Sequence, residues 1–114
     1  MIEVVPYGNP MLTVYSRATS GSGDPFALPA DASELVLIPA AVTTALTVDL
    51  EITLDADATS PVYQKIATSK DIKAVPSVVD VKGYGGLQCR LTSTAFTLGT
   101  PTSAIVYAKC SKSQ

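Results

Sequence analysis

The run from Leu46 to Leu54, LTVDLEITL, does most to limit what this chain can become. Leu46, Val48, Leu50, Ile52 and Leu54 alternate with Thr47, Asp49, Glu51 and Thr53. Period-two alternation places each set on one face of a pleated strand. Wound as a helix, the same residues would scatter the leucines around the axis and set Asp49 and Glu51 into any apolar stripe. The run is predicted to be a strand with an apolar core face and a wet polar face. Such a strand must bury its apolar side against another layer, so this one run already implies stacked sheets.

The flanking sequence repeats the pattern in shorter pieces. Met11 to Arg17 reads as a strand covered on both faces, with Leu12, Val14 and Ser16 on one side and Met11, Thr13 and Tyr15 on the other. Ser/Gly turn residues follow, then a brief strand at Pro25 to Leu28. Glu34 to Ile38 is continuously β-branched and leucine-rich, the mark of an interior strand. Val62 to Ala67 alternates weakly and is followed by a polar turn at Thr68 to Asp71. Pro76 interrupts Ile72 to Val81, which makes that stretch an edge strand or two short pieces. Leu87 to Thr92 and Ser103 to Cys110 complete the set, joined by a long Gly/Pro/Thr connection at Ser93 to Thr102. The expectation is an all-β, antiparallel β-sandwich, jelly-roll or Ig-like, of about eight short strands. Residues 11–110 form the sandwich, residues 1–10 an N-terminal arm and residues 111–114 a polar tail.

Composition narrows the function classes. A chain of 114 residues makes a single domain with its own core. Its net charge is −2, and its eight Lys and Arg are scattered, so the basic stripe of a nucleic-acid binder is missing. The longest apolar run, Leu35 to Val42, is too short to span a bilayer and holds Pro39. Glu3 stands where a secretory signal would be basic, which favours synthesis in a cytosol. There is no histidine, so Ser-His-Asp catalysis and most zinc sites are out of reach. No enzyme and no cofactor are expected.

Several motifs carry a bland reading beside a functional one. Asp55-Ala56-Asp57 opens like a calcium loop, but an EF-hand needs Gly and Glu where Ser60 and Ile66 stand. A loose oxygen site at Asp55 and Asp57 is the only metal candidate; a solvated turn is the bland reading. Gly83-Tyr84-Gly85-Gly86 lacks the lysine and helix of a P-loop and reads as a sharp turn. Asp49 and Glu51 form a carboxylate pair of glycosidase type or a solvated face, the latter favoured. Cys89 and Cys110 would face each other if the last two strands made one hairpin, as a cross-strand disulfide or, favoured in a cytosol, as two buried thiols. The apolar Ile2, Val4, Val5 and Tyr7 of the arm, with Tyr84 in its turn, are the candidate interface residues.

From Ala18 onward the order of features resembles the small β-sandwich virion proteins of tailed bacteriophages, of the capsid-decoration (cement) and head-fibre type. The resemblance rests on ATSGSGDPFALPADAS, then ELVLI, then LTVDLEITLDADATS ending in an acidic turn. PVYQKIA follows, with Tyr63 where such chains often carry an aromatic, then GYGGLQCRLTST and AIVYAK. It implies a structural protein on the capsid exterior that binds the major capsid protein, as a homotrimer or other homo-oligomer. On that reading the arm reaches a capsid or sibling subunit, and deleting Met1 to Pro10 abolishes decoration. A carbohydrate- or receptor-binding module of a tail fibre or baseplate, or a head-completion or tail protein, is the alternative.

Overall fold

The chain doubles back on itself at its longest-patterned strand. In a computed structural model, which describes residues 2–55 and 59–112, β4 (Ala45–Thr53) pairs antiparallel with β5 (Gln64–Asp71). Outward from that hairpin, each strand of the first half meets the one in the mirrored place of the second. β3 (Ala32–Pro39) pairs with β6 (Ser77–Asp80), β2 (Phe26–Ala27) with β7 (Gln88–Thr97), and β1 (Leu12–Arg17) with β8 (Ala104–Lys112). The folded ribbon is rolled into two four-stranded sheets, ordered β1-β8-β3-β6 and β2-β7-β4-β5, and every strand pairing is antiparallel. That order is a jelly roll, so the Ig-like alternative falls. Eight strands and no helix occur among the described residues.

The core lies between the sheets and uses alternate residues of the central strands. Leu46, Val48 and Leu50 of β4 face Leu35 and Leu37 of β3, with Cys89 and Leu91 of β7 beside Ala104, Val106, Ala108 and Cys110 of β8, all at most 2 % exposed. Leu54 does not join them; it is 80 % exposed. The Thr53 hydroxyl accepts the Asp55 N–H at 3.2 Å and donates to the Asp55 carboxylate at 2.7 Å, and this local turn ends the strand one residue early.

Four expectations from the sequence need correcting. First, β1 buries the consecutive residues Val14 and Tyr15, because a bulge inserts Val14 between Thr13, opposite Tyr107, and Tyr15, opposite Val106. Second, Thr68 to Asp71 continues β5 instead of turning, with Ser69 in the left-handed region at φ 56°. Third, β7 runs on to Thr97, through residues read as connection; its Thr-rich sequence suits a pleated strand. Fourth, β7 and β8 belong to different sheets, so no hairpin joins Cys89 to Cys110, and both are free, buried thiols. The prolines behave as read: β6 after Pro76 is a sheet edge.

Residues 3–6 also depart from a free arm. The Val5 N–H donates to the Ala27 carbonyl at 3.0 Å and the Ala27 N–H to the Glu3 carbonyl at 2.9 Å, while the Cys110 N–H donates to the Pro6 carbonyl at 2.8 Å. The segment thus straps β2 of one sheet to β8 of the other. A two-residue edge strand offers unpaired backbone groups, and the strap satisfies them. Val5, 1 % exposed, closes this side of the core.

Candidate functional site

Two surfaces hold the residues singled out from the sequence. On the outer face of β2-β7-β4-β5, Asp49, Glu51 and Thr53 alternate with the core residues of β4, yet all three are buried. The polar face is therefore not wet, as alternation suggested; neighbours on both flanking strands cover it. Arg90 of β7 stands opposite Glu51, and its Nε donates to Glu51 Oε1 at 2.7 Å. The Thr92 hydroxyl donates to the same oxygen at 2.9 Å and lies 2.8 Å from the Ser22 hydroxyl. From β5, Lys65 Nζ pairs with Asp49 Oδ2 at 3.0 Å. The bulge at Ser69 aims its N–H at Asp49 Oδ1, 2.8 Å away. Tyr63 lies with its ring 4.0 Å from the Arg90 guanidinium and accepts a hydrogen bond from Gln88 Nε2 at 2.8 Å.

This array is a closed electrostatic ladder. Burial pushes the Asp49 carboxyl upward, but the Ser69 N–H and the hydrogen bond and charge of Lys65 outweigh it and hold it below its ordinary value of 3.8. A glycosidase acid needs the opposite, a carboxyl kept protonated near neutral pH. Glu51 spends one oxygen on two donors within the sheet. Among the described residues no buried side-chain N or O lacks a partner. The two carboxylates, engaged by Lys65, Ser69, Arg90 and Thr92, lay a charged cover over the central strand.

Burial shifts the two thiols as well. Burial, with the nearby Cys110, pushes Cys89 up to about 12, and burial pushes Cys110 up to about 11. A thiol nucleophile needs the reverse shift. Asp55 is exposed and its carboxylate is engaged by Thr53, whereas Asp57 lies outside the described residues. No group of three or more His, Cys, Asp or Glu converges among the described residues. A groove of about 250 Å³ lined by Ile52, Leu54, Asp55, Val62 and Gln64 sits at the β4–β5 end. It falls short of the roughly 300–1,000 Å³ of small-molecule sites.

The second surface is the strap. Val5 turns inward and is withdrawn as an interface residue, since it completes this chain's own core. Ile2 at 38 %, Val4 at 56 % and Tyr7 at 38 % exposure point out. Lys112 Nζ lies 4.8 Å from the centre of the Tyr7 ring, fixing the ring at the end of β8. Tyr84 is half-buried against the core, in a turn that packs so closely on residues 29–30 that a Cβ on Gly85 would lie 2.1 Å from the Ala30 carbonyl oxygen. It is a packing residue at the rim, set well apart in sequence from the strap. The sequence reading passed over Lys65 and Arg90 as scattered cations; their only signal was that each sits on a strand flanking β4, which requires the topology.

Comparison of the chain with family models, curated proteins and solved structures found no match.

Proposed function

We propose that the chain is a non-enzymatic virion structural protein of the capsid-decoration type, which binds the outside of an assembled shell through its N-terminal strap. The observation that carries this reading is the strap itself. Its backbone is hydrogen-bonded to both sheets while Ile2, Val4 and Tyr7 face solvent. Apolar side chains held outward on a fixed backbone lose little freedom on docking, which favours association. The jelly roll is shared by coat proteins, lectins and cupins, so the fold by itself assigns nothing. The satisfied ladder and the high-pKa thiols argue against chemistry on the remaining surface. Many copies, each with a modest contact, would add up over a symmetric shell.

Deleting residues 1–10 would remove Val5 from the core and so confuse binding with folding. The informative variant is Ile2→Ser/Val4→Ser/Tyr7→Ser, which leaves Val5 and the strap's backbone bonds in place. Shells of the encoding phage, prepared without this protein, are mixed with wild type or variant and pelleted. Wild type should saturate the shells and raise their disruption temperature, and the folded variant should do neither. Equal occupancy by the variant would sink the reading. Binding to a glycan array with no binding to shells would favour the receptor-module alternative.

A further inference from the structure

The two sheets have opposite outer faces. That of β2-β7-β4-β5 is covered by the ladder described above. On β1-β8-β3-β6 the outward positions of the two central strands are Val36 and Ile38 on β3 and Ile105, Tyr107 and Lys109 on β8. Register places Ile38 beside Tyr107 and Val36 between Lys109 and Val78, the last 51 % exposed on β6. β3 and β8 are thus apolar at both parities, a pattern expected where both faces of a strand are covered. One face is covered by the core; on the other, Val36, Ile38, Ile105, Tyr107 and Lys109 are half-buried, and no described strand lies over them.

We infer that this outer face packs against the same face of a second copy, about a two-fold axis running along the strands between β8 and β3. The axis has one consequence, and the face has one feature that fits a second copy. The first is reciprocity. Such an axis lays β8 of one copy over β3 of the other, so each Tyr107 covers an Ile38 and each Lys109 covers a Val36. Contacts come in reciprocal pairs, as an isologous interface requires. The second is charge. Lys109, Glu34 and Asp80 form no ion pair within the described chain, whose ion pairs are Lys65–Asp49 and Arg90–Glu51. Glu34 and Asp80 are paired neighbours one outward row beyond Val36, within a lysine's reach of the Lys109 that lies over it. Each apolar centre is thereby bordered by acids that meet the other copy's lysine. The size is that of a weak interface: strands of 6, 8, 9 and 4 residues about 4.8 Å apart present ~430 Å² per copy, or ~860 Å² in all.

This inference does not rest on the proposed function and is tested without shells. Light scattering coupled to size exclusion, and sedimentation equilibrium, are run on the full chain at neutral pH. Wild type should show twice the 11.8 kDa chain mass. Lys109→Glu should raise the dimer dissociation constant at least about tenfold. Adding Glu34→Lys and Asp80→Lys to it should restore dimerisation, because both copies then carry the reversed charges. Val78→Asp at the exposed rim should weaken the dimer while circular dichroism stays native. A monomer at ~100 µM, a trimer, or a dimer indifferent to Lys109→Glu would overturn the inference, as would a triple variant no better than the single one. So would a monomer whose Val78→Asp form loses shell binding, because the shell would then be the occupant of this face.

Discussion

Leu50 is fully buried at the centre of β4, and Leu54 is 80 % exposed beyond its end. Leu50→Ala removes buried methyl groups and leaves a cavity the two sheets cannot fully close, a cost of ~2–5 kcal/mol. With an unfolding entropy of ~2.1 cal/mol/K per residue, a chain of this length loses ~0.24 kcal/mol per kelvin at its midpoint, so the melting temperature should fall by ~8–20 °C. Leu54→Ala removes a side chain already in water and should cost under ~0.5 kcal/mol, or about 2 °C. Urea titration and thermal melts followed by circular dichroism measure both. The two variants must share the wild-type m-value for the comparison to hold. Equal costs would mean that β4 runs past Thr53 into the core, and would refute the placement of Leu54 outside it.

Other outcomes follow from the ladder and the thiols. Glu51→Ala strands Arg90 and Thr92 beside a buried gap and should cost about 1–3 kcal/mol in urea unfolding; Arg90 is one-third exposed, which keeps the figure below that of a fully buried pair. The Asp49 carboxyl titrates lower in the folded state than in the unfolded one, so its contribution is complete above about pH 4 and is lost as pH falls through the lower folded value. Asp49→Asn should flatten the stability-versus-pH curve in that acid range and leave its slope at neutral pH unchanged. Cys89 and Cys110 should resist a thiol reagent at pH 8 in the native protein and react fully in denaturant, because burial disfavours both thiolates. A fast native reaction at either would show that the core opens locally.

What was legible in the sequence was whatever depends on one strand at a time. The core residues of β4 and β8 follow from period two, and the edge position of β6 from Pro76. What depends on neighbours was hidden. Polar residues at Asp49, Glu51 and Thr53 look solvated until Lys65, Arg90 and Tyr63 are brought over them, and only the rolled topology does that. A bulge costs one residue of register, so Val14 and Tyr15 read as opposite faces when both are inside. Chain proximity suggested a hairpin for Cys89 and Cys110, but jelly-roll winding sends β7 and β8 to different sheets. The strap was half legible: its apolar residues stood out, but nothing local tells Val5, which fills the core, from Val4, which does not.

The central claim is that this molecule acts by binding, with its strap against a shell. The most direct measurement is a cryo-electron microscopy reconstruction of the phage that the proposal requires to encode it, or of that phage's shells decorated with the purified chain. The account expects a jelly-roll density on the shell exterior, with the edge bearing Ile2, Val4 and Tyr7 in contact with the major capsid protein. A chain absent from the shell, or seated on it with that edge toward solvent, would contradict it.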